Sequence, residues 1–184
     1  MKKRIGMAVI VASVFAASSA MAAQQGMWEM SVAGNIENSS STYDAGGFSS
    51  TQDTTSTFVN VNVGKYFTPK LVGQVNLSLF GSDSGGAKST GTAVGAGVKY
   101  YFGEAAKAQW VPFVDGGVNV VQFESGGTTV SGAGLVGGGG VSYFITEEVS
   151  GDISGQLFYN FMSGGGFDVT QSGVRLLFGL TVRY

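Results

Sequence analysis

The last eleven residues of the chain, 174 to 184, place an apolar or aromatic side chain at every even-numbered position. Arg175 and Arg183 occupy odd-numbered positions in the same segment. Successive side chains of a β-strand point to opposite faces of the sheet. The segment is therefore predicted to be a strand with one continuous apolar face and a second face that carries positive charge.

Seven further runs with the same period of two precede this segment. They cover residues 27–36, 54–67, 70–80, 91–102, 109–123, 128–144 and 149–162. Each run has ten or more residues, and a tilted strand needs ~9–11 residues to cross a bilayer. No helical apolar period occurs after residue 23. The pattern predicts an all-β chain, an eight-stranded antiparallel up-and-down transmembrane β-barrel.

The segments between the runs predict which end of the barrel lies outside. Those after the odd-numbered runs are polar and mostly longer, namely 37–53, 81–90, 124–127 and 163–170. Those after the even-numbered runs are mostly short. Long outer loops with short periplasmic turns are typical of membrane barrels. The segment Glu37–Asp53 is predicted to be a flexible loop.

Aromatic residues cluster beside the short turns. We expect them to form a girdle at the periplasmic boundary between water and lipid. The set comprises Trp28, Tyr66, Phe67, Tyr100, Tyr101, Phe102, Trp110, Tyr143, Phe144 and Tyr184.

The amino-terminal segment, residues 1–22, has the pattern of a secretory signal peptide. Lys2, Lys3 and Arg4 precede an apolar stretch that ends in the small residues Ala20-Met21-Ala22. Without those three cations the chain has seven basic and twelve acidic residues, a net charge of −5. This charge argues against nucleic acid as a partner. Residues 23–184 are predicted to form one barrel domain, and the chain has no cysteine for a disulfide framework.

The terminal strand resembles the closing strand of bacterial outer-membrane β-barrels. The matching residues are Phe178, Leu180, Val182 and Tyr184. The resemblance implies that the barrel-assembly machinery reads this strand. The whole segment after the signal is similar to the small eight-stranded family that includes OmpX and the membrane domain of OmpA. The resemblance implies a location in the bacterial outer membrane, with membrane lipid as a partner. Eight strands close without help, so we expect a monomer.

With the apolar face turned to lipid, charged side chains would point into the lumen. Those of the eight runs are Glu29, Asp115, Asp152, Lys99, Arg175 and Arg183. They could form a charged constriction in a narrow channel. They could also be ion pairs that fill an interior too narrow for flow, which is the interpretation we favour because eight strands leave room only for side chains.

The chain has no histidine and no cysteine, which argues against hydrolytic or transition-metal chemistry. Residues 132–137 match the spacing of a dinucleotide-binding motif, but no helix follows to bind a phosphate. Asp44, Asp53 and Asp83 could bind calcium only weakly because they are not clustered. We therefore predict no catalytic residues, no cofactor and no metal site.

These observations predict a non-enzymatic outer-membrane barrel with a structural or surface-interaction role through its outer loops. Tyr43 and Phe48 are the expected contact residues, or alternatively anchors that rest on the membrane. A narrow channel or a transporter of small apolar solutes is a second possibility. A soluble periplasmic binder of the lipocalin type, with the opposite face inward, is a third.

Overall fold

The structure is a computed structural model that describes residues 25–45, 47–84, 87–103, 109–125 and 127–184. The predicted signal segment, residues 1–22, lies outside these ranges. In the described ranges, no helix is long and apolar enough to cross a membrane. The strands are β1 (Trp28–Ala45), β2 (Phe48–Thr68), β3 (Leu71–Ser84), β4 (Ala87–Tyr101), β5 (Trp110–Ser125), β6 (Thr128–Phe144), β7 (Val149–Gly164) and β8 (Phe167–Arg183).

Each strand pairs antiparallel with its neighbours in the chain, and β1 also pairs with β8. The closing register runs from Glu29 opposite Arg183 to Asp44 opposite Asp168. A closed sheet pairs its backbone groups internally, which a bilayer requires. The predicted fold class, an eight-stranded antiparallel up-and-down transmembrane β-barrel, is confirmed.

Side chains alternate across the barrel wall as the period-two pattern predicts. Large apolar side chains form an exposed band on the outside, among them Leu77, Val118, Leu157, Leu176 and Phe178. The inner face of the same strands carries buried amides, hydroxyls and charges, among them Asn60, Ser78, Lys99 and Arg183. An apolar band around a polar interior is the arrangement of a membrane barrel, whereas a soluble calyx has the reverse.

The predicted long loops are wrong. Residues 37–45 continue β1 and residues 48–53 begin β2, so Glu37–Asp53 is a paired hairpin. The other three connections at this end, here called the hairpin end, are equally tight. Gly47 and Gly127 adopt positive φ angles of 96° and 80° in two of these turns. The longest connection, residues 102–109, lies at the opposite end, here called the terminal end because both chain termini lie there.

The predicted aromatic girdle is partly wrong. Seven of its members are exposed on the outside of the barrel. Tyr66, Tyr101 and Phe144 instead point into the lumen, where they are buried together with Val72, Val111 and Phe113. Each of the three sits beside an outward aromatic neighbour in the sequence, and adjacent strand residues face opposite sides. The terminal end therefore has an aromatic exterior and an aromatic interior.

The glycine-rich strand β6 is continuous and paired on both sides. A Cβ atom added at Gly140 would overlap the carbonyl oxygen of Ile153 on β7. An added Cβ at Gly134 would overlap the side-chain oxygens of Asn119 and Asn160. Glycine at these inward positions lets β6 curve tightly against its neighbours.

Candidate functional site

The lumen is closed at the terminal end by a buried arginine. Arg183 is 0 % exposed, and its Nε donates to the Tyr66 hydroxyl at 2.8 Å. Its Nη2 donates to the Tyr101 hydroxyl at 2.9 Å, and its Nη1 donates to the Ser150 hydroxyl at 3.2 Å. The guanidinium also lies 4.4 Å from the ring centre of Phe144. The arginine on β8 thus contacts side chains of four other strands, β2, β4, β6 and β7.

Glu29 balances this charge. Its Oε2 lies 3.7 Å from Arg183 Nε, and the two residues are cross-strand partners on β1 and β8. Both tyrosine hydroxyls donate to Oε2, Tyr66 at 3.0 Å and Tyr101 at 3.2 Å. Gln74 donates to Oε1 at 2.8 Å. We call Glu29, Tyr66, Tyr101 and Arg183 the terminal plug. A buried ion pair held by this many hydrogen bonds is costly to break.

A second ion pair lies directly above the terminal plug. Lys99 Nζ is 3.5 Å from Asp152 Oδ2, and both side chains are largely buried. Asp152 also accepts hydrogen bonds from Thr181 at 2.5 Å and from Ser150 at 2.9 Å. The ammonium lies 4.1 Å from the ring centre of Phe113. The carboxylate therefore keeps two hydroxyl donors that do not depend on the lysine.

The remaining predicted charges, Asp115 and Arg175, are linked through a glutamine. Arg175 Nε donates to Gln156 Oε1 at 2.9 Å, and Gln156 Nε2 donates to Asp115 Oδ2. The guanidinium lies between two rings, 5.2 Å from the centre of Phe58 and 5.5 Å from that of Phe158. All six predicted lumen charges point inward, in two ion pairs and one glutamine-bridged group.

The sequence prediction missed one lumen acid. Glu37 is buried and is the cross-strand partner of Arg175. The inner face of the described strands thus carries four acidic groups against three basic ones. The predicted loop 37–53 includes Glu37, although this residue shares the odd parity of Glu29 in β1. Continuing that parity past Ile36 would have placed it inside.

Amides and hydroxyls fill the middle of the lumen. Asn60 donates to Ser78 at 2.7 Å, and Asn62 donates to Ser31 at 3.0 Å. A polar cavity of about 80 Å³ remains at this level, with a smaller one of about 30 Å³ above it. The lumen from the terminal plug up to this level is therefore polar and nearly filled.

The lumen is apolar at the hairpin end. Its inward side chains there form a cluster of Ala93, Val121, Val130, Met162 and Val169, with Tyr43, Phe80, Phe123 and Phe167 against it. A cavity of about 330 Å³ opens above this cluster. It is lined by Ser41, Tyr43, Phe123, Thr128, Val130, Met162, Phe167, Val169 and Gln171. We call this cavity the apolar cup.

The structure separates the two predicted contact residues. Phe48 lies at the tip of the β1–β2 hairpin and is 85 % exposed. Tyr43 does not lie in a loop but in β1, where its half-buried ring faces inward, 6.3 Å from the ring of Phe167. Phe178, Leu180 and Tyr184 are exposed on the outer wall, as predicted for the closing strand. In the described residues, no group of His, Cys, Asp and Glu is arranged to hold a metal ion.

No family model and no curated protein matches the sequence. The fold is shared with solved structures of outer-membrane proteins, including the following three. Neisserial surface protein A aligns with a TM-score of 0.66 and 16 % identity over 87 % of this chain and 100 % of that one. OprG from Pseudomonas aeruginosa aligns at 0.61 and 13 % identity, over 90 % and 99 %. The amino-terminal β-barrel domain of OprF from the same organism aligns at 0.53 and 15 % identity, over 86 % and 99 %.

These likenesses agree with the closed eight-stranded topology and with the apolar outer band. Identities of this size establish the fold and leave the biological role open. The chain is an eight-stranded transmembrane β-barrel with the fold of the small outer-membrane barrel proteins.

Proposed function

We propose that this protein is a non-enzymatic barrel of the bacterial outer membrane that acts through its hairpin end. The supporting observation is the β1–β2 hairpin, which extends beyond the strand next to it. β2 pairs with β3 only from Thr57 opposite Gly81 toward the terminal end. Among the described residues, no strand pairs with the other edge of residues 48–56. An open strand edge offers backbone donors and acceptors to an extended polypeptide.

Side-chain chemistry supports the same surface. Residues 49–56 are serine, threonine, glutamine and aspartate, which keep an open edge soluble. Phe48 adds a large exposed ring at the tip. Exposed aromatic side chains are common anchors of binding surfaces. The terminal end has no comparable projection in the described residues and its lumen is plugged, so the hairpin end is the better candidate for contact with a partner.

Orientation and location are tested by cysteine labelling, because the natural chain has no cysteine. Phe48→Cys and Phe67→Cys place one thiol at each end of the barrel, both at exposed positions. On intact cells, a membrane-impermeant maleimide should label position 48 and leave position 67 unlabelled until the outer membrane is permeabilised. The reverse pattern, or recovery of the protein in the soluble periplasm, would reject the proposal.

The interaction role is tested by shortening the hairpin. Replacing residues 42–51 with Asn-Gly keeps Ser41 opposite Gln52, and Asn-Gly suits a two-residue turn. Cells that display this variant should lose adhesion to one another or to epithelial monolayers, with the barrel still folded by heat-modifiable gel mobility. Phe48→Ser is the matched variant, since it removes the ring and keeps the strand edge. Unchanged adhesion in the shortened variant would count against this role.

A monomer in the membrane remains our expectation. Consider two copies in the same membrane, related by a twofold axis along the membrane normal. Their β2 edges would meet in the same direction, but they would cross at about twice the tilt of the strands. Strands of membrane barrels tilt by about 35–45°. Edges crossed so steeply cannot form a ladder. The open edge therefore fits a segment of another protein better than it fits a second barrel in the same membrane.

A further inference from the structure

The apolar cup differs from the rest of the lumen in size and in chemistry. It holds about 330 Å³, against about 80 Å³ for the polar cavity in the middle of the barrel. We propose that the cup is a binding site for a small, uncharged, apolar molecule that enters from water at the hairpin end and goes no further. This site requires only the folded barrel, so it stands whichever end faces outside the cell.

The lining sets the class of ligand. Six of its nine residues are aromatic or aliphatic, and none is charged. A cavity of roughly 300–1,000 Å³ with mostly apolar walls is typical of small-molecule sites. Apolar cavities of roughly 150 Å³ already take up benzene. Burial of a ligand's apolar surface in the cup would favour binding, whereas a charged group would lose hydration without a counter-charge.

Gln171, the polar residue at the base of the cup, already has hydrogen-bond partners within the protein. Gln171 accepts a hydrogen bond from Asn160 at 3.1 Å and donates one to Ser39 at 3.4 Å. A polar group that has partners within the protein does not require one from the ligand. Hydrogen bonding to a ligand is thus limited to hydroxyl groups of the lining, such as that of Thr128, which favours an apolar molecule.

The ligand enters the cup from water and not sideways from the lipid bilayer. At the level of the cup, most outward residues are polar, for example Thr42, Thr129, Ser163 and Thr170. The exposed ring of Phe161, opposite Thr170, marks the upper edge of the apolar band. This part of the wall therefore lies above the hydrocarbon band of the membrane. The strands that line the cup are also paired close to the hairpin tips, as in Ser125 opposite Thr128 and Gly164 opposite Phe167. The β6–β7 ladder runs up to Ser131 opposite Ser163. A lipid chain that entered sideways from the hydrocarbon band would have to separate these paired strands.

The lumen below the cup stops further movement. Arg175 and Glu37 lie directly beneath the apolar cluster, and the two ion pairs follow. An apolar molecule moving down would have to replace hydrogen bonds among buried charges with apolar contacts, which is strongly unfavourable. The cup is therefore a closed-ended binding site and not the entrance of a transport path.

Methionine NMR tests the site with an internal control. Without the signal segment the chain has three methionines: Met162 lines the cup, whereas Met27 and Met30 lie at the terminal end. The barrel, labelled at the methionine methyl carbons, would be placed in lipid bilayer discs and titrated with naphthalene. We expect a saturable shift of the Met162 signal and only a linear drift of Met30, which faces lipid. A linear, parallel drift of both signals would overturn the proposal.

A charged probe tests the ligand class, and substitutions inside and outside the cup test the position of the site. 2-Naphthoate has the same rings with a charge and should leave Met162 unshifted; an equal response would reject the assigned ligand class. Val169→Phe fills the cup and should weaken naphthalene binding at least tenfold, whereas Thr170→Phe, one residue away on the outer face, should not. If Val169→Phe does not fold, Thr128→Phe at the cup rim replaces it. Nuclear Overhauser contacts between Met162 and lipid chains without naphthalene would refute entry from water.

Discussion

Side chains fill the lumen almost completely at one end and leave it open at the other. At the terminal end, four side chains cross the lumen and bond to one another until almost no space remains, with Arg183 fully buried at the centre. At the hairpin end, apolar side chains line a cavity of about 330 Å³ and leave it open. One end is therefore closed by bonded side chains, whereas the other keeps open space inside the barrel.

The largest effect should follow from removing the negative charge of the terminal plug. Glu29→Gln keeps the shape of the side chain but leaves Arg183 buried without a counter-charge. We expect the free energy of unfolding to fall by about 3–5 kcal/mol, measured by urea titration in lipid vesicles. Glu124→Gln, at an exposed position of β5, is the control and should change it by less than about 0.5 kcal/mol. Equal effects of the two variants would contradict the role given to the plug.

A smaller effect is expected at the second ion pair. Lys99→Met keeps most of the aliphatic stem and removes the charge beside Asp152, which retains its bonds from Thr181 and Ser150. We predict a loss of about 2 kcal/mol in the same unfolding experiment. Lys65→Met, at an exposed outward position, should change the stability by less than about 0.5 kcal/mol. A loss at Lys99 as large as that of Glu29→Gln would mean that the hydroxyl donors contribute little.

One substitution made at both ends compares them directly. Val72 is fully buried at the terminal end, and Val169 is buried beside the cup. Val72→Ala should cost about 2 kcal/mol, because the methyl groups leave a closed space behind. Val169→Ala should cost about 1 kcal/mol, because the neighbouring space is already open. Equal costs, measured from the urea midpoints, would show that the cup is packed as tightly as the plug.

The smallest effect on stability is expected from filling the cup. Val169→Phe should change the free energy of unfolding by less than about 1 kcal/mol, since the added ring enters existing space. Overpacking of a filled core costs about 1–3 kcal/mol, and Val72→Phe should fall in that range. Thermal melting followed by heat-modifiable gel mobility measures both variants side by side. A Val169→Phe barrel as unstable as Val72→Phe would argue against an open cup.

Much of the fold follows from the period-two pattern, because every strand has one face in lipid. Parity puts Arg175, Lys99 and Asp115 on the face opposite the apolar one, and the balanced charges, the aromatic strand ends and Tyr184 predict that this face lines the lumen. The hairpin extensions could not be predicted in the same way, because serine, threonine and glycine serve equally in polar strands and in loops. Above the membrane the hairpin extensions have no lipid-facing apolar side, so alternation does not reveal them as strands. There the β1–β2 register is set by backbone pairing between the two strands.

The two ends of the lumen were hidden from sequence analysis for different reasons. The plug aromatics stand beside outward aromatics, as in Tyr66-Phe67, so they looked like parts of one girdle. The cup was missed because the pattern inverts there: Val169 faces inward and Thr170 faces outward, although apolar residues of the lower strand face lipid. Such an inversion marks the level at which the wall rises out of the hydrocarbon band.

The filled polar lumen should not conduct ions, and single-channel recording in planar bilayers measures this. With purified, folded barrel in symmetric salt, we predict no steady current steps above the bare bilayer. No current steps are expected for Val169→Phe either, because this substitution changes only the cup. Steady steps in the natural protein, with an ion selectivity that Lys99→Met alters, would show that ions pass the buried charges and that the lumen is not closed.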